Sequence, residues 1–290
     1  MCGLFGSIGF QPERDRIDRI AHRGPDGSGW QEFASPAGPV ALGHRRLAII
    51  DVSDAGLQPM ADESGRFSLV FNGEIYNYLE LRDELRAKGY VFRSDSDSEV
   101  LLAAYREWGE GCLDRFLGMF AFLIWDARDK RLFAARDRFG IKPLYVVCNA
   151  RGIAFASEIK QLLGLPGLSG RMNLARVRDF LASGISDHTQ ETMFEGVLQL
   201  QAGCCVTVEA SRPLSGTYEP RRWYNIPSHS TLDISEAEAS DRFRQLLTDS
   251  VRMHLRSDVP IGSCLSGGLD SSAIVCLMSD MLADEGQGAR

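Results

Sequence analysis

No apolar run in this sequence approaches the ~20 residues that a helix needs to cross a bilayer, and its first residues lack the basic and apolar segments of a secretory signal. The expected compartment is therefore the cytoplasm. Basic residues are in the minority: 32 Lys+Arg against 39 Asp+Glu leave a net charge of −7. A chain that neutralises nucleic-acid phosphates needs the opposite balance, so neither nucleic acid nor membrane is an expected partner. Cysteine signals are also missing. The seven cysteines (Cys2, Cys112, Cys148, Cys204, Cys205, Cys264 and Cys276) are odd in number and scattered. They form no C-x-x-C pair and no Cys/His cluster with zinc spacing, so no metal site is expected. Without an export signal a disulfide framework is not expected either. There is no internal repeat and no low-complexity tract.

What remains is an ordinary globular composition, 44% hydrophobic and 24% charged. The length of 290 residues suggests two domains, each able to bury a core. The first 160 residues or so read as short strands with turn signals: Leu4–Phe10, the mixed apolar run Val40–Val52 broken by His44-Arg45-Arg46, Phe67–Phe71, Leu132–Ala135, Leu144–Cys148 and Ile153–Ala156. Met119–Trp125 is nearly continuous in apolar residues, the pattern of a strand buried on both faces. Two helical faces interrupt them, Tyr78/Leu81/Leu85 and Val100/Leu101/Ala104/Trp108, stopped by Gly89 and Gly109. This mixture implies an α+β, layered core. A further helix is expected over Asn173–Ala182 and a strand over Cys204–Val208. Residues 211–234 read as a linker between a domain spanning 2–210 and a second segment, 235–290. That segment opens with a capping box at Ser235 and Glu238, then a helix, a short strand at Ile261–Leu265, and a last helix after Ser266-Gly267-Gly268-Leu269-Asp270.

The chain opens Met1-Cys2-Gly3. Cysteine is small enough for the initiator Met to be removed, and Cys2 would then carry a thiol and a free α-amine. The amine, with a reference pKa of about 7.7–8.0, is partly neutral near pH 7. It can take the thiol proton and later return it to a leaving amine. Cys2-Gly3-Leu4-Phe5-Gly6, His22-Arg23-Gly24-Pro25-Asp26-Gly27, His44-Arg45-Arg46-Leu47 and Asn72-Gly73-Glu74-Ile75-Tyr76-Asn77 resemble the glutamine amidotransferase domain of class II enzymes. Gly118–Phe122, Asp137–Tyr145 and Phe155–Lys160 look like the glutamine-hydrolysing asparagine synthetase branch, and the motifs follow in order almost end to end.

The resemblance implies an N-terminal nucleophile fold, a four-layer αββα sandwich, with Cys2 as nucleophile. It gives the Asn72 side-chain amide and the Gly73 N–H to the tetrahedral oxyanion. Taken alone, Asn72-Gly73 is also a hairpin-turn signal. Resemblance places the substrate α-carboxylate on Arg46, a guanidinium fork, and the α-ammonium on Asp97 and Glu74. Asp97 equally suits the N-cap of the following helix. Leu47, Ala48, Ile49 and Ile50 would line the glutamine pocket, mostly by backbone, and read equally as strand core. His22-to-Gly27 reads as scaffold or lid. A Cys–His mechanism through His22 or His44 is the lesser alternative, because the amine already supplies a base.

Ser266-Gly267-Gly268-Leu269-Asp270-Ser271-Ser272 lies where a Gly-rich turn meets a helix N-terminus, a natural anion site, but lacks the Walker A Lys. It resembles the pyrophosphate loop of ATP pyrophosphatases, the start of an α/β adenine nucleotide α-hydrolase-like domain, with Leu265 meeting adenine through its backbone. The resemblance implies ATP-binding by Leu265, Ser266, Gly267, Gly268, Asp270, Ser271 and Ser272. Together the two halves imply an asparagine synthetase. Ammonia from L-glutamine would reach the L-aspartate carboxylate, activated as β-aspartyl-AMP with ATP and Mg²⁺. The glutaminase half needs no cofactor, and a homodimer is compatible. About twenty residues follow the pyrophosphate loop, so the chain reads as truncated or a fragment that keeps the glutaminase half. Another carboxylate acceptor, or a non-catalytic fragment, are the alternatives. One departure is Leu200-Gln201-Ala202-Gly203, where relatives carry Pro-Pro before Gly, which puts ammonia transfer in doubt.

Overall fold

The computed structural model describes residues 1–226 and 231–284. It divides into two compact units, Met1–Asn225 and Ile226–Arg290.

The first unit holds two six-stranded antiparallel sheets. In the first, β1 (Gly3–Ile8) lies between β3 (Gly38–Arg46) and β9 (Gly152–Ala156). The edges are completed by β2 (Gly27–Ser35) on one side and by β8 (Tyr145–Asn149) and β10 (Leu198–Gln199) on the other. In the second, β4 (Met60–Ala61), β5 (Phe67–Ile75), β6 (Gly118–Asp126), β7 (Arg131–Arg136), β11 (Cys204–Glu209) and β12 (Arg221–Arg222) are neighbours in that order. Alternation along the strands builds the layers. Leu4, Ile8 and Leu42 of the first sheet meet Val70, Leu123, Trp125 and Leu132 of the second in one core. Gly6 makes room there, since a Cβ would come 2.3 Å from Leu123 Cδ1.

The outer face of the second sheet, including Leu69, Phe71, Phe120, Phe122 and Phe133, packs against three helices. These are α2 (Tyr78–Ala87), α3 (Asp97–Trp108) and α4 (Cys112–Arg115), which contribute Leu81, Leu85, Val100, Leu101, Ala104 and Leu113. The outer face of the first sheet, with Phe5, Val147, Ala154 and Ala156, packs against Ile17 of α1 (Asp15–Asp18) and against Leu162, Leu165 and Val197. The order helix, sheet, sheet, helix is the expected αββα sandwich. The continuous apolar run at 119–125 has the reason given for it: Phe120, Phe122 and Ile124 face the helices, and Ala121, Leu123 and Trp125 face the other sheet. Outside these layers α5 (Leu174–Ser183) is capped by Asn173, as its sequence predicts, but buries none of its residues.

The run Val40–Val52 breaks at its His44-Arg45-Arg46 interruption: β3 ends at Arg46, whose guanidinium turns back onto the carbonyls that follow. Two expectations need correction. Residues 211–225 are not a free linker. Arg221–Arg222 pair with Cys204–Cys205, and Trp223 stacks on Phe120 with ring centroids 6.1 Å apart. Of the remaining stretch, 227–230 lie outside the described residues, as do 285–290 of the second segment. Finally, Ile261–Leu265 forms no strand, because no other described residues of the second unit offer it a hydrogen-bonding ladder.

The second unit consists of α6 (Glu236–His254) and α7 (Leu269–Asp284), which pack on each other. The Ser235/Glu238 capping box is formed in both directions. Ile274 is exposed, while Leu277, Met278 and Met281 are half-buried. Among the described residues no helix is long and apolar enough to cross a membrane, and no cluster of His, Cys, Asp and Glu could hold a metal ion.

Candidate active site

Because β1 is central in its sheet, the residue before it is held as firmly as a strand residue. Gly3 pairs with Arg45, which brings Cys2 beside Leu47. The Leu47 N–H donates to Cys2 Sγ at 3.3 Å, and the thiol lies 3.5 Å from the Leu47 carbonyl as donor. Arg23 Nε donates to the Cys2 carbonyl at 2.9 Å, and Arg23 is itself paired with Glu158 at 3.2 Å. Gly24 must be glycine to let this turn lie on β3, since a Cβ would come 2.4 Å from the Arg45 carbonyl carbon. Burial pushes the Cys2 thiol up, so it favours the protonated form, while the nearby amino terminus acts in the other direction. The amine of Met1 is itself lowered, first by burial, and then by Arg23 and Lys142 despite the opposing Cys2 and Asp26.

Cys2 shares a cleft with Arg46, Leu47, Ile49, Ile50, Asn72, Gly73, Glu74 and Asp97. Of the glutamine-site candidates, Ala48 alone does not line it; its N–H is taken by Asp26 at 2.9 Å. Asn72 and Gly73 lie within β5, opposite Ala121 and Phe120. They form no hairpin turn, and Gly73 keeps ordinary strand backbone with no positive φ. Its lack of a side chain serves close approach instead: a Cβ would sit 2.1 Å from the Met119 carbonyl oxygen.

The edge of β5 explains the cleft. β4 reaches only as far as Leu69, where it pairs with Met60. Beyond that point the odd-numbered amides have no strand to bond. Phe71 N–H is taken by Gln58 Oε1 at 2.6 Å, and Ile75 N–H by Asp97 Oδ2 at 3.0 Å. By the two-residue alternation of a strand, Gly73 N–H leaves from the same edge, between them. Phe120, opposite Gly73, uses its own N–H and carbonyl on Asp137, which fits this alternation. The Asn72 amide is 1% exposed, and neither its oxygen nor its nitrogen has a hydrogen-bond partner. A buried amide with both ends open is costly unless a ligand completes it.

Arg46 does not present an open fork. Its Nη1 donates to the Ser53 carbonyl at 2.6 Å, and its Nη2 to the carbonyls of Ile50 and Asp51. What it offers an acid is its positive charge and its remaining N–H groups. Asp97 is not the cap of α3 either. Ser96 is the cap, accepting from the Ser98 N–H at 3.0 Å, which frees Asp97 to face the cleft. Burial pushes the Asp97 carboxyl up to about 7, with Glu74 adding to the rise and the Ile75 and Ser98 bonds opposing it.

Besides Met1, six cleft residues escaped sequence reasoning as site residues: Gly56, Gln58, Phe71, Ser96, Ser98 and Lys142. Only Lys142 carries a signal, its place in the Asp137–Tyr145 motif. There the Asp137 carboxylate gathers the N–H groups of Phe139, Ile141 and Lys142 and so shapes the loop. Neither histidine contacts the thiol. His22 is exposed and pairs with Glu158 at 2.9 Å, and buried His44 bonds the Phe71 carbonyl at 2.9 Å.

In the second unit, Leu265 and the loop 266–270 are exposed, and Ser271 and Ser272 are half-buried in the first turn of α7. Gly267 has φ +81°, a left-handed conformation suited to glycine. Ser266 and Ser271 hydroxyls lie 2.9 Å apart, and Ser271 Oγ donates to the Gly268 carbonyl at 3.1 Å. Asp270 is in the first turn of α7.

Residues 1–219 match the family model for a glutamine amidotransferase domain, and residues 242–287 match that for asparagine synthase. The "Putative asparagine synthetase (glutamine-hydrolyzing)" of Mycobacterium tuberculosis is 43% identical over 300 residues, covering 96% of this chain and 45% of that protein. "Asparagine synthetase (glutamine-hydrolyzing) 3" of Bacillus subtilis is 36% identical over 298 residues, covering 99% and 47%. The chain thus spans about half the length of these curated relatives. Glutamine phosphoribosylpyrophosphate amidotransferase from B. subtilis, solved with ADP and GMP, shares the fold at a TM-score of 0.55 and 19% identity, covering 77% of this chain and 49% of that one. With three-quarters of its length matched by that one model, and the same sandwich in its structure, the chain belongs to the glutamine amidotransferase domain family.

Proposed function

We propose that this chain hydrolyses L-glutamine at Cys2 and supplies the ammonia to a carboxylate activated by ATP, that of aspartate, as in a glutamine-hydrolysing asparagine synthetase. The observation that carries the reading is the Asn72 amide, buried and unpartnered in the same cleft as the Cys2 thiol. Removal of Met1 gives Cys2 its own α-amine. That amine takes the thiol proton as sulfur attacks the γ-carboxamide carbon, which offsets the unfavourable ionisation of a buried thiol. Charge gathers on the former carbonyl oxygen, where Asn72 Nδ2 and the Gly73 N–H donate to it. The tetrahedral adduct collapses, the C–N bond breaks, and the amine proton leaves with the nitrogen as ammonia. Water then cleaves the thioester, releasing glutamate and restoring the thiol. Arg46 attracts the substrate α-carboxylate, and Asp97 with Glu74 holds the α-ammonium. The glutaminase step needs no metal or cofactor.

The loop at 265–272 fits a pyrophosphate: a Ser-Gly-Gly turn, serine hydroxyls and the start of a sixteen-residue helix offer donors of the right kind. ATP bound there would supply the activation of the acceptor carboxylate. The division into domains follows the two units, with the amidotransferase part running to about residue 225.

The test is glutamate release from glutamine by the purified chain, beside Cys2→Ala, with N-terminal mass analysis. Activity in the chain that lacks Met1, and none in the variant, is the expected result. A processed, folded chain with no glutaminase activity overturns the reading.

A further inference from the structure

Where β4 stops, two side chains take over its work on β5. Phe71 N–H donates to Gln58 Oε1 at 2.6 Å, and the Phe71 carbonyl accepts from His44 Nε2 at 2.9 Å. Both polar groups of the residue preceding Asn72-Gly73 are thus fixed by side chains from elsewhere in the fold. Gln58 is buried, and its Nε2 donates onward to Ser98 Oγ at 3.1 Å, one residue from Asp97. It therefore spans from the strand that carries Gly73 to the helix that carries Asp97.

His44 makes the other tie. It lies on β3, two residues before Arg46, and pairs with Leu4, two residues after Cys2. Its bond to Phe71 crosses from the sheet that holds the thiol to the sheet that holds the oxyanion donors. It is fully buried. Burial and the Arg46 charge pull its pKa down to about 4 against the opposing Phe71 bond, so the ring is neutral at pH 7 and Nε2 carries the proton. Nδ1 has no partner, and no carboxylate is bonded to the ring. A neutral donor with a single bond suits a spacer better than an acid or base.

We infer that His44 is a positioning residue for the proposed glutaminase reaction: its bond to the Phe71 carbonyl sets the distance between the Cys2 sulfur and the donors on Asn72 and Gly73, with Gln58 fixing the same residue from the N–H side. The inference rests on the glutaminase reading. Its effect falls on the transition state, because the oxyanion exists only there, and not on the groups that bind the α-carboxylate and α-ammonium.

The experiment compares wild type, His44→Leu, His44→Gln and Gln58→Met in steady-state glutamine hydrolysis, with melting temperature and the rate of Cys2 alkylation by iodoacetamide measured on each. His44→Leu removes the donor at similar volume, and His44→Gln keeps an amide N–H on a side chain of comparable reach. The expected result is a fall in kcat of about tenfold to a hundredfold in His44→Leu, the cost of an approximately 1 Å misplacement. KM should stay within about threefold and alkylation should be unchanged, with much of kcat recovered in His44→Gln. Gln58→Met should lose kcat in the same way, which keeps the question open to measurement if His44→Leu does not fold. A folded His44→Leu or Gln58→Met with wild-type kcat overturns the inference, and so does a loss carried by KM alone. A wild-type chain without glutaminase activity overturns instead the reading on which it stands.

Discussion

Asp97 Oδ2 accepts the Ile75 N–H at 3.0 Å, and Ser98 Oγ approaches Oδ1 at 3.5 Å. One carboxylate thereby anchors the far end of the β5 edge while lining the cleft in which a ligand ammonium is proposed to bind. Burial lifts its pKa to about 7. Below that pH the group is neutral and an ammonium loses its counter-charge. We expect kcat/KM for glutamine to fall as pH drops from 8 to 6, approaching tenfold per unit at the low end and carried mainly by KM. Asp97→Asn should have a high KM throughout and lack this limb. An unchanged acid limb in the variant would assign it to another group.

The same shift has a consequence for stability. An acid whose folded pKa is raised binds its proton more tightly when folded. Between its ordinary value of 3.8 and about 7 the folded state is protonated and the unfolded state is not, so stability falls as pH rises through that window and levels off above it. Asp97→Asn should flatten this decline and gain on the order of a few kcal/mol at pH 8 relative to wild type. Melting curves of both proteins at pH 5 and pH 8 check the sign.

Asn72→Ala should separate activity from stability. The amide has no partner to lose, so its removal leaves no orphaned group behind. The loss of one oxyanion donor is expected to cost about 10² to 10³ in kcat. The variant should melt close to wild type and bind glutamine with little change in KM. A large drop in melting temperature would mean that the amide supports the strand instead.

Gly56 gives a route to Arg46 that leaves the charge in place. A Cβ on Gly56 would come 2.1 Å from Arg46 Nη2. Gly56→Ala must push the guanidinium away from the carbonyls of Ile50, Asp51 and Ser53. The expected result is a rise in KM for glutamine, with kcat within a few-fold. If KM holds and kcat falls, Arg46 does not serve the α-carboxylate.

The layers were legible because periodicity reports burial. Leu81/Leu85 and Val100/Leu101/Ala104 face the core as their spacing requires, and Met119–Trp125 is buried on both sides. β2 was missed because its nine residues are half-buried or exposed, and so carry little alternation. The cleft was legible as a set of residues but not as a set of bonds. Nothing in the string shows that Arg46 folds back on its own loop, or that Ser96 and not Asp97 caps α3. Gln58 carries no local signal, because its importance comes from a strand that ends too early. Ile261–Leu265 has the composition of a strand, but a strand also needs a neighbour.

That early ending of β4 has a wider meaning. A sheet is most stable when every edge amide is paired, and here the edge amides of Phe71 and Ile75 are taken by side chains and that of Gly73 is left for the proposed oxyanion. The proposed recognition element is thus a gap in secondary structure, held open by the fold. Changes that extended β4 by four residues toward its N-terminus, to the position opposite Gly73, would improve the ladder and close the gap. Selection for rigidity alone would therefore erase the site, and a more thermostable descendant must find its gains elsewhere in the sandwich.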